Sequence, residues 1–248
     1  MQEFDAALRA GMERLARREG IGTLSERSLH AALKHWFEPD EGCHEVPLEG
    51  SVADIFDGHR VIEIQTRHLY TLRPKLEKFL PKWPVTVVHP LTWHKRLIWV
   101  EPETGESTKP RRSAKVGAYW DAAEELYALL PFLDNPNLTV VLLLLDMDEI
   151  RRRDGWSRDG KKGSHRVERI PTALGEAAVL AGREDYRILL PDGLPSPFTT
   201  ADVRARTKRS DKQTGKLVSL LYKTENILRA GKCGRAYLYE AAGKGEEA

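Results

Sequence analysis

The chain has 248 residues, of which 41% are hydrophobic and 31% charged, and its formal net charge is +2. This composition is that of a soluble globular protein with a substantial core. The longest apolar run, residues 140–145, is too short to span a bilayer, and no secretory signal opens the sequence. The two cysteines form no metal-type spacing. We therefore expect a cytoplasmic protein with no membrane contact.

The small net charge conceals two basic segments. Residues 151–169 carry eight Lys or Arg against three acids, and residues 199–248 carry eleven against six. Together these segments hold a charge of +10, which −8 in the rest of the chain offsets. Such segments favour a polyanionic partner, most often a nucleic acid, although an ion-paired solvated surface has the same composition.

The first part of the chain alternates helical and strand patterns. An amphipathic helix is predicted over residues 1–22, and a second helix begins at Thr23 and stops before Pro39. Glycine-containing turns then separate three predicted strands, and two further strands follow a helix. The predicted strands are residues 44–48, 52–56 and 60–65, then 85–88 and 96–100, and the intervening helix covers 69–80. This order predicts an α/β fold with a mixed sheet flanked by helices.

The second part is predicted to elaborate the same domain, which would cover residues 23–190. A helix over residues 119–130 and an apolar strand near 139–147 lead into a basic loop at 151–169. An apolar stretch and a short helix then run to residue 190. Residues 191–197 contain three prolines and a glycine, and they predict a linker to a small domain at 198–242.

Two acids stand inside consecutive predicted strands. Asp54 and Glu63 would lie on one face of a hairpin closed by Asp57 and Gly58, and Gln65 would point the same way. Paired carboxylates repel each other, and a hard divalent cation such as Mg²⁺ or Mn²⁺ would compensate that repulsion. The alternative is that Asp54 is a surface acid near the turn and that Glu63 pairs with Arg60 or Arg67 across the sheet.

The order of elements around these acids resembles the PD-(D/E)XK nuclease superfamily, here with the pattern D-x8-E-x-Q. The resemblance covers roughly residues 24–100 and implies a restriction-endonuclease-like fold. It implies that Asp54 and Glu63 bind the metal with help from the carbonyl of Ile64. It also implies that Gln65 takes the place of the usual lysine, where an amide can hydrogen-bond to water but carries no charge.

The first helix of that superfamily often contributes a metal ligand, which makes Glu26 and His30 further ligand candidates. They are four residues apart and so share a helix face. Glu26 could instead close the capping box of its helix, and His30 could be a packed core histidine.

The basic loop mixes cations with small residues, which would let main chain and side chains approach a phosphate together. Its candidate phosphate-binding residues are Lys161, Lys162, Ser164 and Arg166. A surface loop without a ligand remains the alternative.

The tail predicts a helix, a turn, a second helix and a β-hairpin. It resembles winged helix-turn-helix domains over about 45 residues, which implies binding of double-stranded DNA. The implied contacts are Lys212, Gln213, Thr214 and Lys216 on the second helix and Lys232 and Arg235 on the hairpin. The alternative is a winged helix that contacts protein.

Taken together, the two resemblances imply a bacterial Mg²⁺- or Mn²⁺-dependent DNA endonuclease that carries its own duplex-binding module. DNA repair, restriction and defence against phage are the roles that such a combination fits, and a homodimer is left open. The alternative hypothesis is a DNA-binding regulator that keeps the nuclease fold without catalysis. A scaffold whose winged helix binds protein is a third hypothesis.

Overall fold

The structure is a computed structural model, and it describes residues 27–101, 103–156 and 162–243. The predicted N-terminal helix over residues 1–22 lies outside the described residues. The chain divides into two compact units. The first contains residues 1–66, 88–118 and 143–177, and the second contains residues 67–87, 119–142 and 178–248.

The first unit holds the larger part of a seven-stranded sheet, counted within the described residues. The order of strands across the sheet is β1-β2-β3-β4-β6-β7, and β5 pairs with β4. The strands are β1 (His44–Leu48), β2 (Ser51–Phe56), β3 (Val61–Ile64), β4 (Val85–Val100), β5 (Arg111–Arg112), β6 (Leu138–Trp156) and β7 (Lys162–Leu180). The strand ends at 85–87, 138–142 and 178–180 belong to the second unit.

The strands β1, β2 and β3 form an antiparallel meander. Glu49 and Gly50 link β1 to β2, and both have positive φ, as a two-residue hairpin turn of this twist requires. Asp57 starts the next turn, where its side chain accepts hydrogen bonds from the main-chain N–H groups of His59 and Arg60. The predicted hairpin between the two acidic strands is thereby confirmed.

Helix α1 (Arg27–Phe37) contacts β3 and buries Leu29, Ala32 and Leu33. These residues form one apolar stripe at helical spacing. The helix stops just before Pro39, as predicted, because the residue that precedes a proline disfavours helical geometry.

Two predictions for the first unit were wrong, because the strands there are longer than the sequence patterns indicated. The predicted strands at 85–88 and 96–100 are a single strand, β4. Most of the predicted basic loop at 151–169 is also strand, because β6 continues to Trp156 and β7 begins at Lys162. Charged residues can occupy these strands since their side chains bond across them, as in the pair of Arg96 with Asp148.

The second unit is mainly helical. Its helices are α2 (Arg73–Phe79), α3 (Ala123–Leu126), α4 (Thr200–Thr207) and α5 (Asp211–Lys223). Short 3₁₀ segments cover Leu69–Leu72, Tyr119–Ala122, Tyr127–Phe132 and Arg183–Leu189. The helix predicted over 119–130 is thus a short α-helix between two 3₁₀ turns.

The tail has the predicted order of elements. Thr199 with Asp202 and Ser210 with Gln213 form capping boxes at the starts of α4 and α5. The strands β8 (Ile227–Cys233) and β9 (Ala236–Ala241) then form an antiparallel hairpin. Residues 191–197 contain neither helix nor strand.

The tail belongs to the same compact unit as residues 67–87 and 119–142, and this grouping differs from the separate domain expected for 198–242. Helix α5 contacts α3, and Arg209 makes a two-bonded ion pair with Asp121. Among the described residues, no helix is long and apolar enough to cross a membrane.

Candidate metal and nucleic-acid site

The two predicted acids lie at matching positions of β2 and β3. Ile55 pairs with Ile62 and Phe56 with Val61, and continuing this register places Asp54 opposite Glu63. Directly opposed residues of an antiparallel pair project from the same face of the sheet. The prediction that both acids share a face therefore agrees with the strand register.

The carboxylate of Asp54 joins three elements. Its Oδ2 atom accepts a hydrogen bond from the main-chain N–H of Ile64 at 2.8 Å and lies 3.1 Å from Nε2 of His30. The helix α1, which carries His30, is thereby tied to both β2 and β3. Of the two further ligand candidates, His30 lies beside the proposed site, and Glu26 lies outside the described residues.

Glu63 and Gln65 differ in their surroundings. Glu63 is only 1% exposed, in a strand whose four residues are all buried. Gln65 follows the end of β3, and its main chain is fixed on both sides. Its N–H donates to the carbonyl of Val88 at 2.9 Å, and its carbonyl accepts from Nδ1 of His89 at 2.7 Å. The backbone at Gln65 is therefore held independently of its side chain.

His89 was not predicted from the sequence as part of the site. It is 3% exposed, and its side chain hydrogen-bonds to the main-chain carbonyl of Gln65. A histidine that directly follows the predicted strand 85–88 was the available signal, because a buried imidazole needs a hydrogen-bond partner.

The donor set at Asp54 fits a hard cation in part. Within residues 27–101, 103–156 and 162–243, no three His, Cys, Asp or Glu side chains are grouped as metal ligands. Mg²⁺, however, is commonly held by one or two carboxylates, with waters and substrate phosphates completing its shell. Asp54, Glu63 and the main-chain carbonyl of Ile64 supply oxygen atoms of that kind.

The basic segment contributes one described side chain to the predicted phosphate site. Arg166 is exposed on β7. Lys162 and Ser164 also lie in β7, where only their main chain is described, and Lys161 lies outside the described residues.

The residues predicted to read DNA on α5 are engaged within the second unit. The Nζ atom of Lys212 lies 2.5 Å from Oε1 of Glu124, and that of Lys216 lies 3.7 Å from the ring centre of Tyr127. The side chain of Gln213 accepts from the N–H of Ser210 in the capping box. The prediction for Thr214 was wrong, because this residue is 1% exposed and packs inward.

The hairpin of the tail carries basic side chains that are exposed to solvent. Lys232 and Arg235 are exposed, as predicted. The guanidinium of Arg229 lies over two tyrosine rings, 4.5 Å from the centre of Tyr222 and 4.1 Å from that of Tyr237. The residues predicted from the sequence did not include Arg229, which lies on the first strand of the predicted hairpin.

A family model described as "Domain of unknown function (DUF8091)" matches residues 27–181. The chain belongs to the DUF8091 family. The DUF8091 match begins with α1 and includes Asp54, Glu63, Gln65 and the three long strands β4, β6 and β7. The tail after residue 190 lies beyond the DUF8091 match.

The chain is also similar to a protein of Treponema pallidum (strain Nichols) that is named "Uncharacterized protein". The two are 29% identical over 234 residues, which is 91% of this chain and 89% of the relative. The similarity therefore extends beyond the DUF8091 region into the tail. No solved structure matches the chain.

Proposed function

We propose that this chain is a metal-dependent nuclease that hydrolyses phosphodiester bonds in DNA. The observation that carries the proposal is the register of β2 and β3, which sets Asp54 opposite Glu63 beside His30. Two carboxylates on adjacent strand positions repel each other unless a cation or a proton compensates them. The resemblance of the surrounding elements to the PD-(D/E)XK superfamily supports a cation at this place.

In this proposal Asp54 and Glu63 hold Mg²⁺ or Mn²⁺ together with the carbonyl of Ile64. The bound cation would lower the pKa of a coordinated water and stabilise charge on the phosphate. His30 and the N–H of Ile64 fix the orientation of the Asp54 carboxylate through its Oδ2 atom. The Gln65 amide would hydrogen-bond to the attacking water, and the main-chain bonds at Gln65 would keep that amide in position.

Nuclease assays on supercoiled and linear duplex DNA test the proposal directly. We expect cleavage by the parent protein with Mg²⁺ or Mn²⁺, and no cleavage with EDTA. Asp54→Asn and Glu63→Gln should abolish cleavage, because each weakens the oxygen ligand set. The matched control is Asp57→Asn, since Asp57 lies in the turn between the same strands and pairs with Arg60. Cleavage that survives both Asp54→Asn and Glu63→Gln would reject this site.

A second candidate is a DNA-binding regulator without catalysis. Two observations favour it: Oδ2 of Asp54 is already bonded to His30 and Ile64, and Glu63 is buried. A regulator would bind duplex DNA in EDTA and leave it uncut under every metal condition. If neither the parent nor Gln65→Lys cuts any nucleic acid, the regulator replaces the nuclease.

The scaffold hypothesis concerns the tail alone. If the helices and hairpin of the tail contact protein, DNA affinity should show little dependence on salt. A steep salt dependence would favour phosphate contacts.

A further inference from the structure

In the first unit, one buried carboxylate contacts three basic side chains, which lie on three neighbouring strands. Glu149 lies on β6, and its side chain is 2% exposed. Its Oε2 atom lies 3.2 Å from Nζ of Lys95 on β4 and 3.6 Å from Nε of Arg169 on β7. Its Oε1 atom accepts a hydrogen bond from Nε of Arg151 at 2.6 Å. One acid thus orients three basic side chains.

Pairs of bonded side chains define the faces of this part of the sheet. His94 bonds to Asp146, Arg96 to Asp148 and Glu101 to Arg153, and each pair is separated by 52 residues. A constant separation means that β4 and β6 run parallel in register. Since side chains alternate along a strand, Lys95, Glu149 and Arg151 share one face, and Arg96, Asp148 and Arg152 lie on the other.

The cluster around Glu149 differs from the neighbouring ion pairs in how its charges are matched. On one face Arg96 and Asp148 form a bidentate pair of one cation with one anion. On the other face Lys95, Arg151 and Arg169 share Glu149. Burial raises the pKa of the Glu149 carboxyl, and the nearby Lys95 and Arg151 lower it by more. The pKa of Glu149 is therefore below its ordinary value. Glu149 is therefore ionised at neutral pH, and the cluster keeps an excess of two positive charges.

The basic groups of the cluster are partly exposed to solvent. The side chains of Lys95, Arg151 and Arg169 are 23%, 30% and 39% exposed. Beside them, the guanidinium groups of Arg151 and Arg153 lie 5.8 and 5.4 Å from the ring centre of Trp99. Stacking on an indole and bonding to a fixed carboxylate both restrict an arginine side chain, which lowers the entropy cost of binding an anion.

We propose that Lys95, Arg151 and Arg169 form a phosphate-binding site that Glu149 organises. Arginine and lysine bind phosphate oxygens through charge-assisted hydrogen bonds, and the excess positive charge favours a dianionic or polyanionic ligand. The ligand is the phosphodiester backbone of the DNA on which the chain acts. That identification rests on the proposed function, whereas the phosphate site itself does not.

Binding measured in EDTA separates this site from catalysis. A fluorescently labelled duplex is titrated with protein, and its anisotropy is followed over a series of salt concentrations. Arg151→Gln and Arg169→Gln should each weaken binding and lower the slope of log K against log salt by about one unit. The matched control is Arg152→Gln, which removes the same charge from the adjacent position on the opposite face and should have a smaller effect on the slope.

Each outcome decides between the alternatives. Equal effects of Arg151→Gln and Arg152→Gln would mean diffuse attraction, and a lower unfolding temperature with an unchanged slope would mean a purely structural ion network. Either result overturns the proposal.

Calorimetric titration with inorganic pyrophosphate provides a second probe. If the parent binds pyrophosphate through Arg151 but binds no DNA, the phosphate site stands and the proposed ligand fails. If it binds neither, the site is rejected. Binding without cleavage would reject the nuclease and leave the site in place.

Discussion

Nε2 of His30 lies 3.1 Å from Oδ2 of Asp54, the same oxygen that accepts the main-chain N–H of Ile64. A helix and two strands therefore converge on one carboxylate near the end of the β2–β3 pairing. A carboxylate with two fixed partners has a defined orientation, as a metal ligand requires. The same two contacts would also suit a carboxylate that only holds α1 to the sheet, and substitutions at His30 separate these roles.

We expect His30→Ala to lower the rate of DNA cleavage by about 10- to 100-fold, the usual effect of losing a residue that orients a metal ligand. His30→Gln keeps a hydrogen-bond donor and should recover part of the rate. The Mg²⁺ concentration needed for half-maximal cleavage should rise in His30→Ala. Equal losses in both variants, together with a lower unfolding midpoint and an unchanged Mg²⁺ requirement, would assign His30 to stability alone.

Substitution of Gln65 tests the proposed contact with water. Gln65→Ala should lower the cleavage rate by about 10²-fold, which is at the low end for a positioned polar or acid–base group. Gln65→Lys restores the residue usual in the PD-(D/E)XK superfamily and should keep or raise activity at neutral pH. Both variants retain the main-chain bonds to Val88 and His89, so their folding should match that of the parent. Parental rates in both variants would remove Gln65 from the mechanism.

The ion pair between Arg209 and Asp121 should stabilise the second unit. Both side chains are largely buried, and Arg209 also donates to the carbonyl of Thr207 at 3.0 Å. Arg209→Ala should reduce the free energy of unfolding by about 2 kcal/mol, because it leaves a partly buried carboxylate without its cation. The control is Arg204→Ala, whose exposed pair with Asp211 should contribute at most about 0.5 kcal/mol. Urea unfolding of both variants gives the comparison, and equal losses would contradict it.

Local sequence patterns predicted the elements that depend on local contacts. The end of α1 before Pro39 and the strand β1 follow from residues at most a few positions apart. Thr214 was also predictable, although it was assigned to the exposed face. It lies three residues before Leu217 and seven before Leu221, so it falls on the buried stripe of α5.

The long strands could not be predicted from local patterns. Charged residues in β4 and β6 interrupt the apolar alternation that identifies a strand, and their partners lie 52 residues away. A similar separation hid the cluster around Glu149, since Lys95 lies 54 residues before it and no local pattern indicates it as a neighbour. The pairing of Asp54 with Glu63 could be predicted, because a short turn joins their two strands and fixes the register.

The capping box at the start of α4 should make the free energy of unfolding depend on pH. Hydrogen bonds from the main-chain N–H and the hydroxyl of Thr199 lower the pKa of the Asp202 carboxyl below its ordinary value. A lowered folded-state pKa gives stability that is present above the unfolded value and is lost as the pH falls through the folded value. Asp202→Asn should thus cost about 1 kcal/mol at pH 7 and progressively less below about pH 4. Urea unfolding from pH 7 to pH 3 measures this, and a cost that does not depend on pH would contradict the ionic origin.

Gly175 on β7 should not tolerate a larger residue. A Cβ atom at this position would lie 2.6 Å from Cε3 of Trp93 and 2.9 Å from the main-chain carbonyl oxygen of Leu144. Because the Leu144 carbonyl belongs to the strand between β4 and β7, it has little freedom to move, and the indole of Trp93 must shift instead.

We expect Gly175→Ala to lower the free energy of unfolding by about 1–3 kcal/mol, as overpacking does in close-packed interiors, and to change the tryptophan fluorescence of the folded protein. Gly215→Ala is the matched control. Gly215 is exposed in α5, and a Cβ built there meets no atom within 4 Å apart from its chain neighbours and the backbone of its own helix. Alanine there should stabilise the helix by about 0.5–1 kcal/mol. If Gly175→Ala proves neutral in urea unfolding with unchanged fluorescence, Trp93 is not packed rigidly against β7.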